Sequence, residues 1–130
     1  MKQFISALSL VVPDYDEAIE YYVETIGFKL VSDVNLGGDK RWVTVAPQGS
    51  SETMLVLGKA DGPEQEKAIG LQAGGRVFLF LSTDDFARDH AAMLAKGVQF
   101  LEEPRHEVYG TVAVFQDKFG NKWDLIEQKN

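Results

Sequence analysis

The sequence predicts an α+β protein made of two β-α-β-β-β modules. Two observations lead to this class. Segments with the two-residue alternation of strands lie on either side of segments with helical periodicity along the 130 residues. The residues that bracket the predicted helices also recur, because Asp14 and Gly27 are followed by Asp84 and Gly97 at an offset of 70 positions. A repeated order of elements predicts two copies of one folding unit.

The first module begins with a buried strand and a capped helix. Residues 4–12 form the strand, and Asp14 precedes a helix predicted over about 14–26, where its carboxylate can cap the first turn. Gly27 is typical of the position just after a helix. The apolar stripe of this helix consists of Tyr15, Ala18, Ile19, Tyr22, Val23 and Ile26. Three further strands are predicted at 28–34, 41–46 and 53–57.

A polar stretch without sustained periodicity, residues 59–75, separates the modules. We interpret it as a linker with room for one short helical turn. The second module repeats the order, with Asp84 as the N-cap of a helix over about 84–96 and strands at 76–82, 98–101, 111–115 and 123–127. We therefore expect a single domain over residues 1–130, with modules 1–58 and 76–130 and eight strands in all.

Charge and composition exclude several classes of function. Lys and Arg number 13 against 20 Asp and Glu, which gives a net charge of −7. Such an acidic surface repels phosphate groups, so we expect no nucleic-acid partner and no membrane partner. The chain has no cysteine, which excludes disulfides, a cysteine nucleophile and thiolate metal sites. The apolar run at 4–12 ends at Pro13 without a good cleavage site, so we interpret it as a strand and expect a cytoplasmic protein.

Strand parity divides the predicted strand residues into two faces. The first is apolar and should lie under the helices; it consists of Leu8, Leu10, Val12, Leu55, Leu57, Leu79, Leu81, Trp123 and Leu125. The second is mixed and includes Ala7, Ser9, Val11, Glu52, Met54, Val56, Arg76, Phe78, Phe80, Ser82, Lys122, Asp124 and Ile126. A curled sheet with a mixed inner face forms a cleft that can hold a small molecule. Ordinary packing of this face, or half of a dimer interface, is the alternative.

Two segments of the chain resemble the vicinal oxygen chelate superfamily, which contains glyoxalases, bleomycin-resistance proteins and extradiol dioxygenases. One covers residues 10–22 and 26–28, and the more specific one covers 114–127. The resemblance extends over nearly the whole chain. It implies paired β-α-β-β-β modules that curl as an eight-stranded mixed sheet around a cleft, usually in a homodimer. Because the superfamily hosts isomerases, dioxygenases, thiol transferases and binding proteins, the resemblance leaves the function open.

The metal enzymes of this superfamily place His or Glu on the first and last strands of each module. The resemblance puts the four ligand positions, in chain order, at Ala7, at Val56 or Met54, at Phe78 or Val77, and at Asp124. Ala, Val and Phe do not bind a cation, and one carboxylate alone gives no useful metal site. We therefore expect no metal cofactor.

Side chains near the expected cleft are the candidates for ligand binding. The wall, predicted from parity and from the superfamily's ligand positions, consists of Ser9, Met54, Phe78, Phe80 and Asp124. The rim is predicted in the loop at 102–110 and consists of Arg105, His106 and Tyr109. We interpret Arg41 and Arg76 as solvated or salt-bridging groups, and His90 as a partly buried or surface residue of the second helix.

Three hypotheses for function remain open. The leading one is a small-molecule-binding protein that sequesters or senses an organic ligand without the usual metal site. The alternative is an enzyme of the same superfamily, a lyase, isomerase or dioxygenase. Its divalent metal would be held at a shifted site of Asp124, His106 and Glu103 or Glu52, or its acid–base groups would be Tyr109 and His106. The third is a dimeric interaction module whose mixed face is mostly interface.

Overall fold

Strands and helices follow the predicted order through residues 1–129, the part of the chain that the computed structural model describes. The first unit, which ends at Ile69, holds β1 (Ala7–Val12), α1 (Tyr15–Ile19) with a π-helical continuation (Glu20–Thr25), β2 (Lys29–Gly37), β3 (Lys40–Ala46), β4 (Met54–Lys59) and α2 (Pro63–Ala68). The second unit, which begins at Gly70, holds β5 (Val77–Ser82), α3 (Phe86–Ala95), β6 (Gln99–Phe100), β7 (Arg105–Glu107), β8 (Gly110–Gln116) and β9 (Lys122–Gln128). These elements confirm the α+β class.

Each unit contains one mixed sheet, and the two sheets have the same strand order. The first runs β1-β4-β3-β2, and the second runs β5-β9-β8-β6 with β7 also paired to β8. In the first sheet β1 pairs in parallel with β4, and in the second β5 pairs in parallel with β9. All the other strand pairs are antiparallel. The strands therefore form two sheets, of four and five strands, where we expected one sheet of eight. The assignment of both units to a single domain stays a prediction.

The 70-residue offset is confirmed at three strands and at the glycines that end the helices, whereas α3 begins 71 positions after α1 and β9 begins 68 positions after β4. Strand β5 begins 70 positions after β1, and β8 covers the positions 70 after β3. Gly27 and Gly97 end their helices with φ values of +94° and +85°, a conformation that glycine adopts without strain. The predicted linker at 59–75 contains helix α2, which lies within the first unit.

The ninth strand arises because one strand of the repeat is broken. Strand β2 is continuous over Lys29–Gly37, with a bulge after Leu30, whereas the equivalent stretch of the second unit is divided into β6 and β7. Pro104 lies in the gap and has no amide hydrogen for a ladder bond. The carboxylate of Glu102 also accepts from the amide of Val114 at 2.9 Å, in the place of a strand carbonyl. The predicted loop at 102–110 thus contains a short strand.

Both predicted helices form, with two differences from expectation. Asp14 caps the first, since its Oδ2 accepts from the amide of Glu17 at 2.9 Å, but the helix changes to π-helical winding after Ile19. The second helix is capped by Asp85, whose Oδ1 accepts from the amide of Arg88 at 3.0 Å; our assignment of the cap to Asp84 was wrong. Asp84 binds the Arg88 guanidinium at 2.8 Å instead, because the helix begins one residue later. None of the helices within residues 1–129 is long and apolar enough to cross a bilayer.

The core of each unit lies between its helix and the apolar face of its sheet. In the first unit, Leu10, Val12 and Leu57 have no solvent exposure, and Tyr22 of the helix is fully buried and stacks with Phe28 at a centroid distance of 6.1 Å. The second unit uses a row of rings from helix to sheet, with successive centroids 4.5–5.7 Å apart: Phe86, His90, Phe100, Phe115 and Trp123. His90 is therefore a half-buried core histidine. Leu94, near the C-terminal end of α3, is exposed.

The turn between β8 and β9 is organised by the buried carboxylate of Asp117, which is only 4% exposed. Its oxygens accept from the amides of Phe119 and Asn121, from the Asn121 side chain, and from the indole of Trp123, all within 3.1 Å. Four donors on one carboxylate fix both the turn and the orientation of Trp123 against the ring of Phe115.

Replacement of Asp117 by Ala should destabilise the fold strongly, because several buried donors would lose their acceptor at once. We expect a loss of about 3 kcal/mol in the free energy of unfolding, which urea denaturation would measure. Asp39→Ala, in the exposed turn after β2, is the matched control and should change stability by less than about 0.5 kcal/mol. Equal stability of the Asp117 variant and the control would show that this carboxylate does not organise the turn.

Candidate functional site

Strand pairing in the second unit places Phe80, Asp124 and Val114 side by side on one face of the sheet. Phe80 is the direct partner of Asp124 across the parallel pair, and Val114 is its partner across the antiparallel pair. Arg105 pairs with Val112, two residues from Val114, and so lies on the same side. We refer to this side as the site face; it is the face opposite to the aromatic row of the core. Phe80 is 66% exposed, an unusual placement for a phenylalanine.

The site face begins at an irregularity in β5. Its register with β9 skips from the pair Val77–Lys122 to the pair Leu79–Trp123, so Phe78 is the additional residue of a bulge. Beyond it, the predicted facing of Phe80 with Asp124, and of Leu79 with Trp123, agrees with the pairing. Phe78 itself is half-buried, and pairing does not assign it to either face.

The broken strand supplies a charged border to the site face. Arg105 Nε lies 3.1 Å from each oxygen of Glu102, and its Nη1 lies 3.4 Å from Glu107. Since Glu102 also accepts from the Val114 amide, one carboxylate holds both the arginine and the strand beside Asp124. Hydrogen bonds with Glu102, and then with Tyr109, raise the pKa of Arg105, so its guanidinium is permanently charged. Our sequence reasoning assigned Glu102 no part in ligand binding, because a Glu before a Pro-containing loop carries no specific signal.

Asp124 is the one carboxylate of this group without a hydrogen-bond donor from residues 1–129. Its Oδ1 is buried and accepts from no group in that range, although the residue as a whole keeps partial exposure. Burial raises the pKa of Asp124; the charge of Arg105 opposes this shift and the charge of Glu102 adds to it. Asp124 therefore combines charge, partial burial and an acceptor with no donor.

The predicted rim residues do not all lie together. Arg105 and Tyr109 interact with each other beside the site face. His106 alternates with Arg105 along β7 and lies on the opposite side, where its Nδ1 is 3.3 Å from the hydroxyl of Thr111. The pairing of a three-residue strand, which the sequence does not signal, decides this orientation.

Arg41 has a structural role in the first unit, as expected for a salt-bridging group. Its guanidinium lies 2.9 Å from Asp16 and 2.7 Å from Asp33, and it stacks over the ring of Tyr15 at 5.2 Å. The hydrogen bond from Arg41 lowers the pKa of Asp33. This arginine therefore ties helix α1 to strands β2 and β3. Arg76 is exposed just before β5.

The other two predicted wall residues belong to the first unit. Met54 pairs with Ala7, and Ser9 pairs with Val56, so all four lie on the side of the sheet opposite to Leu55 and Leu57. Thr44 and Ser32 share that side and join their hydroxyls at 2.6 Å. Met54 is half-buried and Ser9 is exposed. The role of Ser9, Met54, Phe78, Phe80, Arg105, His106, Tyr109 and Asp124 in ligand binding stays a prediction.

Comparison with known proteins identifies the family. The model of the Glyoxalase/Bleomycin resistance protein/Dioxygenase superfamily matches residues 4–125. The chain belongs to this superfamily. A relative from Shewanella frigidimarina (strain NCIMB 400) is 53% identical over 128 residues, which are 98% of this chain and 95% of that protein.

Solved structures agree with this assignment. UcmS2 is 31% identical and superposes with a TM-score of 0.83, with coverage of 97% of this chain and 98% of UcmS2. TnmS3, described as an antibiotic binding protein from Streptomyces sp. CB03234, is 33% identical with a TM-score of 0.77 and 98% coverage of both chains. The resemblance of the sequence to the vicinal oxygen chelate superfamily is thus confirmed.

The residues at the superfamily's metal-ligand positions do not fit a divalent cation. In the first sheet, Ala7 and its partner Met54 offer no oxygen or nitrogen donor from their side chains. In the second sheet, Val77 and Phe78 are equally inert, which leaves Asp124 alone. The shifted site is not assembled either, since His106 faces away from Asp124, and no three His, Asp or Glu side chains within residues 1–129 are grouped to hold a metal ion.

Asp124→Asn should raise thermal stability at neutral pH. A raised pKa means that the folded state binds a proton on Asp124 more readily than the unfolded state, so the ionised carboxylate destabilises the fold above that pKa and the penalty disappears as the pH falls below it. We expect a Tm about 2 °C higher than wild type at pH 7, and no difference near pH 3.5.

Calorimetric melting at the two pH values would test this, with Asp39→Asn as the control for loss of one negative charge. A lower Tm of the Asp124 variant at pH 7 would identify Asp124 as a carboxylate that the fold itself requires.

Proposed function

We propose that this chain binds a small organic ligand, and sequesters or senses it, without a metal cofactor. The observation that carries the proposal is the site face itself, where a largely exposed Phe80 lies directly beside the half-buried Asp124. An apolar ring next to a few fixed polar groups is the usual composition of a small-molecule site. The similarity to TnmS3, an antibiotic binding protein, supports the same function.

Arg105 and Tyr109 fit this proposal as the polar border of the ligand site. The pairing of Arg105 with Glu102 holds its guanidinium in place before any ligand arrives, which reduces the entropy lost on binding. Ser9 and Met54, on the side of the first sheet opposite to Leu55 and Leu57, are proposed as ligand contacts of the first unit.

An enzyme of the same superfamily is the second candidate, and one observation favours it. The raised pKa of Asp124 is typical of carboxyl groups that exchange protons with a substrate, and Tyr109 supplies a second titratable group near Arg105. Such an enzyme would be a lyase or isomerase that relies on acid–base chemistry by these side chains.

A ligand screen by native mass spectrometry, on protein purified without added metal, tests the proposed function. We expect at least one flat, largely apolar compound to bind, and Phe80→Ala to weaken its binding about tenfold because the exposed ring would form part of the site. Phe4→Ala removes a ring of similar exposure outside the sheets and should have no effect. Asp124→Ala should leave the fold intact and alter ligand affinity.

Several outcomes would contradict this function. A tightly held divalent ion at about one per chain in elemental analysis, or turnover of the compound, would favour the enzyme. Equal affinity in the Phe80 variant and wild type would remove the site face from the ligand site, and no binding across the screen would favour the interaction module.

We also infer a homodimer in the cytoplasm. Strand β2 is an edge strand of nine residues, and Val34 and Leu36 on it are at least half exposed. An uncovered edge strand with apolar side chains favours association with another copy of the chain.

Sedimentation velocity at micromolar concentration checks this inference, with about twice the mass of the 14.4 kDa chain as the expected result. Val34→Lys should shift the sedimenting species towards monomer, because a charge would replace an apolar contact on the edge strand. A wild-type monomer at this concentration would overturn the inference.

A further inference from the structure

Asp124 Oδ1, a buried acceptor without a hydrogen-bond donor in residues 1–129, indicates which chemical group the ligand supplies. A buried carboxylate oxygen that has lost water and gained no donor is unfavourable, and the free energy is recovered when a partner supplies the hydrogen bond. The terminal side-chain torsion of an aspartate, χ2, has a broad distribution of angles with two-fold symmetry. A donor arriving from the exposed side of Asp124 can therefore engage the carboxylate after rotation about this torsion, and it stabilises the ionised group that the fold leaves without a donor.

The charges of the site face favour a cationic donor over an anionic ligand. Asp124, Glu102 and Glu107 are three carboxylates on or beside this face, against the cations of Arg105 and of Lys122, which pairs with Gln116. Arg105 is occupied by Glu102 and Glu107, at 3.1 and 3.4 Å. A ligand carboxylate or phosphate would have to displace one of these acids and would stand next to Asp124.

The aromatic side chains add a second reason. The ring of Phe80 lies on the strand adjacent to Asp124, about 5 Å away by the spacing of paired strands. A cation bound at the carboxylate would lie within reach of the ring face, which attracts positive charge, while a flat apolar body could cover the exposed ring. A neutral hydroxyl would gain the hydrogen bond alone, whereas an ammonium group gains both the charged hydrogen bond and the ring contact.

We propose that the ligand of the site face is an organic cation, a flat apolar body that carries a protonated amine bound by Asp124. This proposal rests on the proposed function, since it names the chemical class of the bound molecule. Arg105 contributes by keeping Glu102 neutralised, so that Asp124 is the carboxylate left for the amine.

Three probes that differ only in the head group test the proposal: 2-naphthylmethylamine, 2-naphthylmethanol and 2-naphthoate. Titration calorimetry with the full chain at pH 7.5 should give the tightest binding for the amine and the weakest for the carboxylate. Asp124→Asn should weaken binding of the amine at least tenfold and change that of the alcohol less than threefold, while Asp39→Asn should change neither.

Chemical-shift titration of the wild-type protein keeps the test independent of variant folding. The carboxyl carbon of Asp124 should shift on addition of the amine, and its pKa should fall, because a bound cation stabilises the ionised form.

The outcomes separate the proposal from the function on which it rests. Equal affinity for amine and alcohol, or an amine preference that survives in Asp124→Asn, would overturn the amine assignment while leaving small-molecule binding intact. No binding of any probe at millimolar concentration would also overturn it, and the ligand screen would then decide the proposed function separately.

Discussion

Alternation of side chains along each strand constrains where chemistry can be located in this protein. Outside bulges such as the one at Phe78, each strand residue lies either on the apolar face under the helix or on the opposite face. In the second unit the helix face is occupied by a continuous row of rings ending at Trp123, and the indole is held by Asp117. A carboxylate without hydrogen-bond donors cannot be buried among these rings without loss of stability, so Asp124 is confined to the other side.

At the polar border of the site face, a side-chain carboxylate replaces a backbone carbonyl as the hydrogen-bond acceptor. Where β6 ends, the carboxylate of Glu102 takes the Val114 amide that a strand carbonyl would otherwise accept. Because the same carboxylate holds Arg105, Glu102 contributes both to the end of the strand and to the position of the guanidinium. Loss of Glu102 would therefore affect the edge of the sheet and the charge of the site together.

The sequence predicted those features that depend on local signals. Strand alternation and the glycines at 27 and 97 are local, and the repeat made each assignment consistent with its counterpart, so the C-terminal ends of the helices and the order of elements along the chain were predicted well. The site was predicted in part: Phe80 and Asp124 share a face as parity indicated. The orientation of His106 was not predictable, since it follows from strand β7, whose three polar residues show no alternation that burial would impose.

Comparison of the two units at the broken strand shows how a repeated protein can diverge. The extra residue of the bulge in β2 is Val31, and the position 70 residues later, Leu101, is where the second copy breaks. The two copies are thus irregular at the same point, on an edge strand that contributes few buried residues. Such a position tolerates insertion of proline and charge without disturbing the core. A duplicated module can in this way keep one strand continuous while its counterpart takes up proline and charge, so that two copies of one folding unit come to present different side chains at equivalent positions.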